Sequence, residues 1–398
     1  MENEGNLSTT KDSLLKSVVG DTKMNTGNTS IHDLSDNHMV AILVRLPVKT
    51  IVHCKCVCRD WLNLITDSHF INLHLTESPE YFMLLDDCTN SLRLLDIQEE
   101  DGANHLHHDP IMSLNLNLAP IFQNAQLFVD GSVNGLICLT GSDGTSDMAY
   151  ICNPITREYM ILPKQIDSTE CNIVNSYGFG VSSLTGEYKV MRVIQTIRTS
   201  QAVPAADVYT LGTGQWRRLG HLAYFIYGHR GTFLNNHFHW HICDYEDTLE
   251  KICTFDIDNE KFQLFPSPPL DLEEDIHFER MMGVVKGCLC YSYYTFCEFT
   301  MWVMKVYGIK NSWQKEVLIN QNICPNLRWS LNMHFVPIGS LKDGRFLMMY
   351  DQGKLFVYHP DTSTTQETEF SDVDAISYRP SFLKLQTFES ESVHKFLR

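Results

Sequence analysis

The chain has 398 residues, which at about 150 residues per domain predicts two or three domains and a sizeable core. Its 31 Lys and Arg residues against 48 Asp and Glu residues give a formal net charge of −17. A surface this acidic would repel nucleic acid and anionic membranes, so we expect neither as a partner. No apolar run approaches the ~20 residues that a membrane helix needs.

The ends of the chain and its cysteines indicate the compartment. Residues 1–30 are rich in Asn, Ser, Thr, Lys and Gly, so we expect a disordered tail there, and a second tail at 391–398. The acidic start lacks the basic and apolar segments of a secretory signal. The 13 cysteines are odd in number and widely spread, which argues against a disulfide scaffold. We therefore expect a reducing compartment, cytosol or nucleus, with mostly buried free thiols.

A helical pattern begins near Ile31. Ser35 and Asp36 suit a helix start, because Ser caps free N–H groups and Asp complements the helix dipole. Apolar residues then share one face at helical spacing: Met39, Ile42, Leu43 and Leu46. Pro47 ends this helix. A second predicted helix has the apolar face Ile51, Cys54, Cys58, Trp61, Leu62 and Ile65, and a third short helix follows Ser68.

Three short helices in about 45 residues form only a marginal core. The module could complete this core against a partner, as a docking element, or it could decorate a larger domain. Helical periodicity alone favours neither interpretation.

The residues of the module closely resemble an F-box over 31–76, most specifically at Ile42–Lys49 and Val57–Trp61. One departure is Ser35, where the family usually has proline. The resemblance implies a surface for a Skp-type adaptor, which links to the cullin and RING subunits of an SCF ubiquitin ligase. The adaptor-binding residues that it implies are Leu34, Ile42, Leu43, Leu46, Pro47 and Val48. Trp61, Ile65 and Phe70 are expected in the interior instead.

From residue 80 to 390 the chain has short β-rich runs bounded by Gly, Asp and Asn. Examples are Tyr81–Leu85, Leu136–Leu139, Phe346–Tyr350 and Leu355–Tyr358. A polar turn followed by an aromatic residue recurs with spacings of 57, 46 and 51 residues, at Tyr159, Trp216, Phe262 and Trp313. Periods near 50 residues are typical of kelch-like propeller blades. A pair of β-sandwiches with coincidental turns is the alternative, and the number of blades stays open.

Several segments of this region resemble, in the family's order, the plant F-box-associated domain: Gly131–Leu139, Asn153–Pro163, Tyr177–Gly180 and Val208–Arg217. The combined resemblance implies a small all-α F-box followed by an all-β, kelch-like β-propeller. It also implies a non-catalytic substrate-recognition subunit of an SCF-type E3 ubiquitin ligase. Tyr378–Leu383 resembles the end of such domains, and we expect it to supply the strand that closes the ring.

Two clusters could instead carry metal chemistry. Cys54, Cys56 and Cys58 lie on a helical pattern that would point Cys56 away from the other two, so we expect no metal there. His237, His239 and His241 would share one face of a strand, with Phe238 and Trp240 on the other. Histidines on one face could bind a metal, but a solvated strand face opposite a buried Phe and Trp face explains the same alternation, so we expect no metal there either. The sequence has no motif of a P-loop, zinc protease or α/β-hydrolase, so we expect no cofactor.

Target binding is expected on long polar loops, because loops on a rigid scaffold often carry binding residues. The candidates are 86–92, 142–148, 164–176, 195–206, 243–250, 267–279 and 294–299. Two of them are acidic, at Asp244, Glu246 and Asp247 and at Asp271, Glu273, Glu274 and Asp275. These carboxylates could recruit a basic segment of a target or serve solubility. A non-degradative propeller scaffold and a propeller metalloenzyme remain alternatives to the ligase subunit.

Overall fold

The structure is a computed structural model. It describes residues 34–97, 110–123, 125–142, 147–164, 173–196, 203–243, 251–269, 280–294, 298–320, 335–350 and 353–396. The chain divides into two compact units, Met1–Ser78 and Pro79–Arg398. The expected tail at 1–30 lies outside the described residues, and so do the seven acidic residues at 244–247 and 271–275 that were candidates for target binding. None of the helices in the described ranges is long and apolar enough to cross a bilayer.

The first unit contains four short helices rather than the three that were predicted: α1 (Asp36–Leu43), α2 (Val48–Cys54), α3 (Arg59–Thr66) and α4 (Ser68–Glu77). The second predicted helix is in fact two, separated by a turn at residues 55–57. Cys58 is extended, with φ −158° and ψ 170°, and starts α3. Neither Gly nor Pro marks this break, and the apolar spacing continues across it, which is why the pattern predicted one helix.

The start of α1 differs from the expected side-chain cap. Ser35 occupies the capping position, but its side chain makes no capping bond to the helix backbone. Its Oγ lies 2.7 Å from the Nδ1 atom of His38 instead. Asp67 does cap α4, because its Oδ1 atom accepts a 2.8 Å hydrogen bond from the backbone N–H of His69.

The interior of the helical unit only partly follows the prediction. Ile65 and Phe70 are fully buried, as expected. Trp61 is only half-buried, and Leu62, which the spacing assigned to the packed face, is exposed. Both lie on α3, and the turn before α3 changes which of its residues face the interior.

The second unit is built from antiparallel four-stranded sheets, which we call blades. Blade 1 consists of β1 (Tyr81–Asp86), β2 (Ser91–Leu95), β3 (Met112–Asn115) and β24 (Val373–Tyr378). Blade 2 consists of β4 (Gln126–Val133), β5 (Leu136–Ser142), β6 (Asp147–Asn153) and β7 (Glu158–Ile161), with β25 (Val393–Lys395) added outside. Blade 3 consists of β8 (Ile173–Val181), β9 (Tyr188–Thr196), β10 (Ala205–Thr210) and β11 (Trp216–His221).

The remaining strands repeat the same arrangement. Blade 4 consists of β12 (Phe225–Leu234), β13 (His237–Cys243), β14 (Lys251–Asp256) and β15 (Lys261–Phe265). Blade 5 consists of β16 (Arg280–Val285), β17 (Cys288–Tyr294), β18 (Glu298–Met304) and β19 (Trp313–Asn320). Blade 6 consists of β20 (Phe335–Ser340), β21 (Phe346–Tyr350), β22 (Lys354–His359) and β23 (Thr364–Glu367).

The innermost strands of the blades form a closed ring. Within the described residues, β24, β4, β8, β12, β16 and β20 contact one another in this order, and β20 contacts β24 again. The strands β8 and β12 are also joined by one parallel bridge, between Tyr177 and Arg230. Consecutive blades around a ring define a propeller and exclude the pair of sandwiches. The described strands make six blades, and the region from 80 to 130 contributes three strands to blade 1.

The ring is closed by β24, which pairs antiparallel with the whole length of β1. The prediction that Tyr378–Leu383 closes the ring is therefore wrong in position, because the closing strand ends at Tyr378. Beyond Tyr378 the chain leaves the sheet at Pro380, which has no N–H to donate to a ladder. The carbonyl oxygens of Ser381 and Leu383 instead accept bonds of 3.0 and 2.7 Å from the side-chain amide of Asn153.

The expected C-terminal tail is also wrong for residues 393–396. This segment forms β25, which pairs with the outer strand β7 of blade 2. Phe396 is buried, with its ring centroid 5.7 Å from that of Phe122 and 4.8 Å from that of Tyr159. The buried ring of Phe396 and the pairing with β7 both hold this short strand, which the polar residues around it do not indicate.

The aromatic repeat of the sequence marks the outer strands. Tyr159, Trp216, Phe262 and Trp313 lie on β7, β11, β15 and β19. The indole N–H of Trp216 donates a 2.8 Å hydrogen bond to the carbonyl of Pro163, just after the outer strand of the preceding blade. Trp313 donates in the same way to Pro266, at 3.0 Å. Each repeated tryptophan thus ties its blade to the one before it.

Candidate functional sites

The residues expected to bind an adaptor fall into two groups. Leu34 is 39% exposed and Pro47 is exposed, while Ile42 and Leu46 are half-buried. Leu43 and Val48 are almost completely buried. The spacing of α1 places Leu43 on the inner side of the helix, so it and Val48 belong to the interior that supports this surface. The other four side chains reach solvent, and we call them the adaptor surface.

The cysteine cluster is separated by the turn between α2 and α3. Cys54 is buried at the end of α2, and burial raises the pKa of its thiol to about 11. Cys56 is exposed, and Cys58 is half-buried at the start of α3. Among the residues that the structure describes, no group of three or more His, Cys, Asp or Glu side chains could hold a metal ion.

The histidines of β13 share one face of the strand as predicted, and Phe238 and Trp240 are buried on the other. The expectation of a solvated histidine face is wrong, because His239 is 0% exposed and His241 is also buried. The Nδ1 atom of His239 lies 3.0 Å from the carbonyl oxygen of Thr232, and its Nε2 atom lies 2.8 Å from the hydroxyl of Tyr307. Burial lowers the pKa of His239 to about 4, so its ring is neutral and joins blades 4 and 5.

The predicted loops belong to one end of the blades. Strands of a blade alternate in direction, so the connection between its second and third strands leaves from the same end as the connection to the next blade. All seven predicted loops are connections of these two kinds. We call this end the loop face. The acidic candidates at 244–247 and 271–275 are outside the described residues, but the strands that flank them end on the loop face.

A bulge in β12 lies at the centre of the ring. Tyr227 pairs with His241 and Thr232 with His239, so residues 228–231 all oppose a single residue of β13, Trp240. Gly228 has φ +88°, a conformation that favours glycine. A Cβ atom on Gly231 would lie 2.5 Å from the Trp240 ring. The two glycines therefore allow the chain to bulge here while Trp240 fills the space beneath.

The bulge reaches across the ring to strands of other blades. The Nη1 atom of Arg230 lies 3.3 Å from the carbonyl oxygen of Val129 on β4 and 3.2 Å from Oδ1 of Asp374 on β24. Asp374 also accepts a 3.0 Å hydrogen bond from the backbone N–H of Val129. This arrangement, which we call the Arg230 clamp, joins blades 1, 2 and 4. Sequence reasoning missed it, because its residues are distant in the chain and match no motif.

Three exposed ring side chains lie close in sequence to the residues of the clamp. Phe128 is 41% exposed and Tyr227 is 55% exposed, and each is the third residue of an inner strand, close to the loop face. His229 is exposed on the bulge, with its ring centroid 5.9 Å from that of Phe128. We call Phe128, Tyr227 and His229 the central platform.

Carboxylates adjoin the central platform at blade 1. The backbone N–H of Asp87 donates a 3.1 Å hydrogen bond to the carbonyl of Asp372, and both side chains are exposed. Partial burial raises the pKa of Asp87 most, and repulsion from Asp374, Asp86 and Asp372 raises it further. Asp86 and Asp374 each pair with an arginine. No Lys or Arg side chain in the described part of the chain lies within ion-pair distance of Asp87 or Asp372.

Comparison with known families agrees with both units. The model of the F-box associated beta propeller domain matches residues 83–397, and the model of the F-box domain matches residues 31–73. The chain therefore belongs to the F-box-associated β-propeller family and carries an F-box before the propeller.

Curated relatives from Arabidopsis thaliana are similar to this chain over more than two thirds of its length. F-box protein At3g07870 is 28% identical over 76% of this chain and 76% of its own length. F-box protein CPR1 is 27% identical over 69% of this chain and 70% of its own length. F-box/kelch-repeat protein At3g23880 is 24% identical over 72% of this chain and 79% of its own length.

Proposed function

We propose that this chain is the substrate-recognition subunit of an SCF-type ubiquitin ligase. The F-box would dock on a Skp-type adaptor, which connects to cullin and RING subunits, and the propeller would bind the target protein. The observation that carries the proposal is the adaptor surface, which presents four apolar side chains to solvent on a module that matches the F-box model. Burying one such side chain against a partner stabilises a complex by roughly 1.5–3 kcal/mol.

In this role the chain has no catalytic group of its own. It contributes proximity, because a target bound to the propeller is held near the thioester of a ubiquitin-conjugating enzyme bound to the same assembly. The assembly would act in the cytosol or nucleus. The nine cysteines whose side chains the structure describes are all free and five of them are buried, which fits a reducing compartment.

Co-purification of the full chain with a Skp-type adaptor tests the proposal. Leu34→Arg and Leu46→Arg place a charge on the adaptor surface, and we expect each to weaken binding at least about tenfold. Leu34 is exposed, so its replacement should not disturb folding. Leu184→Arg is the matched control, because Leu184 is 79% exposed between β8 and β9 of the propeller.

The proposal fails if the wild-type chain does not bind the adaptor. It also fails if both adaptor-surface variants bind as well as Leu184→Arg does.

A further inference from the structure

We propose that the central platform is where the propeller binds its target, and that the bound element is a target segment with an apolar residue next to Lys or Arg. This inference rests on the proposed function, since it names the partner chemistry of the target-binding unit. It differs from the predicted sites, because none of the platform residues lies in the acidic loops.

The first argument is exposure. Within the described residues, Phe128 and Tyr227 are the only Phe, Tyr or Trp side chains that are exposed rather than half-buried or buried. The other Phe, Tyr and Trp side chains in the described part of the propeller are half-buried or buried. Both exceptions lie at the starts of inner strands on the loop face, in the blades that the Arg230 clamp joins. Aromatic side chains that are exposed on the face of a protein where loops gather are typical of residues that dominate binding energy.

The second argument is rigidity. The bulge, which begins directly after Tyr227 and carries His229, rests on Trp240. Trp240 is 1% exposed and donates a 3.0 Å hydrogen bond to Ser176 of blade 3. Arg230 fixes the same bulge to β4 and β24. A platform held by four blades loses little conformational entropy when a ligand binds, so more of the contact energy appears as affinity.

The third argument is charge, which selects the occupant. Asp374 bonds to the backbone of Val129, the residue after Phe128, so the carboxylates of blade 1 adjoin the platform. Asp87 and Asp372 add exposed negative charge there. Burial and then repulsion from Asp374, Asp86 and Asp372 raise the pKa of Asp87, and a bound cation would relieve the repulsion. A Lys or Arg side chain can pair with these carboxylates and also lie over the exposed ring of Tyr227 or Phe128.

Short fluorescent peptides in three matched sets test the inference on the full chain. The first set combines a Leu or Phe with flanking Lys and Arg residues. In the second set Glu replaces the basic residues, and in the third Ser replaces the apolar one. We expect the first set to contain the binders, with affinities at least about tenfold above their matched peptides. Added salt should weaken their binding, since part of the attraction is between exposed charges.

Variants locate the site of binding. Tyr227→Ala and Phe128→Ala should each lower the affinity for the peptides that bind the wild type about tenfold, because each removes an exposed ring. Asp372→Asn should lower the affinity for the basic peptides and make that affinity depend less on the salt concentration. The matched control is Ile309→Ala, because Ile309 is 54% exposed between β18 and β19, at the opposite end of a blade. It should bind peptides as the wild type does.

Several results would overturn the inference. These are no binding by any peptide set, equal or tighter binding of the acidic set, and unchanged binding by both aromatic variants. Dimers of the chain that disappear in Tyr227→Ala, without peptide binding, would assign the platform to a second copy instead. Tyr227→Ala should still co-purify with the adaptor. Adaptor binding without peptide binding therefore rejects this inference alone, whereas loss of adaptor binding in the wild type rejects the proposed function.

Discussion

The two units of this chain build their exposed apolar surfaces from very different stretches of sequence. The adaptor surface comes from Leu34 to Pro47, within one helix and its two ends. The central platform takes Phe128 from β4 and Tyr227 from β12, and Asp374 of β24 supports it from 144 residues beyond Arg230. A surface of the first kind can be recognised from spacing along a helix. One of the second kind exists only after the ring has closed.

The same difference applies to stability. The helical unit is held by contacts between neighbouring helices, which are close in sequence. Blade 1 needs β24 to travel from the far end of the chain and pair with β1. Damage to one strand near the C-terminus should therefore affect the propeller much more than the helical unit.

Removing residues 373–398 should have the largest effect. Without β24 the edge of β1 is exposed, and buried residues such as Leu84 and Val336 lose the core that they share with Ala375 of β24. We expect no protease-resistant propeller from the shortened chain, while adaptor binding by the helical unit persists. Limited proteolysis and adaptor co-purification measure the two outcomes separately.

A chain ending at Ser392 is the control for this truncation. It lacks only β25 and the residues after it, and the lost burial of the Phe396 ring should lower the free energy of unfolding by about 3–5 kcal/mol. Its propeller should still resist protease. If the chain ending at residue 372 were as resistant as the chain ending at Ser392, ring closure by β24 would not be what holds the propeller together.

The features that could be predicted from the sequence are those formed by residues close together in the chain. The buried strands Leu136–Leu139 and Phe346–Tyr350 and the aromatic repeat are local patterns, and the structure confirms them as β5, β21 and the outer strands. The break between α2 and α3 was missed because no Gly or Pro marks it. The bulge at Gly228–Gly231 could not be predicted, since it depends on the ring of Trp240 beneath it and on Asp374 opposite.

Acid should destabilise the propeller more steeply than the helical unit. Burial lowers the pKa of His239 to about 4 and that of His241 to about 3, and in the helical unit it lowers that of His74 to about 4. An unfolded chain binds these protons near pH 6.5. The native state does not, so stability is intact above about pH 6.5 and falls as pH decreases, by up to about 1.4 kcal/mol per pH unit for each histidine.

Urea unfolding at about pH 7 and about pH 5.5 measures this loss before most carboxylates titrate. We expect the transition of the propeller to shift further than that of the helical unit, because among the described residues it buries two such histidines against one. His239→Gln should remove one proton from the pH dependence and make the shift of the propeller smaller. An equal shift in His239→Gln and wild type would show that His239 is not protonated on unfolding in this range.

The smallest expected effect concerns the start of α1, where Ser35 stands in place of the proline usual in the family. Ser35 has φ −67°, close to the value of about −65° that proline imposes. Ser35→Pro should therefore stabilise the helical unit by roughly 0.5–1 kcal/mol, mainly by restricting the unfolded chain, and should not weaken adaptor binding. Ser35→Ala is the control: it removes only the exposed bond to His38, so its effect on the free energy of unfolding should stay within about 0.5 kcal/mol. A proline variant less stable than the alanine variant would mean that the backbone N–H of Ser35, or the conformation of Leu34 before it, matters more than the restricted φ angle.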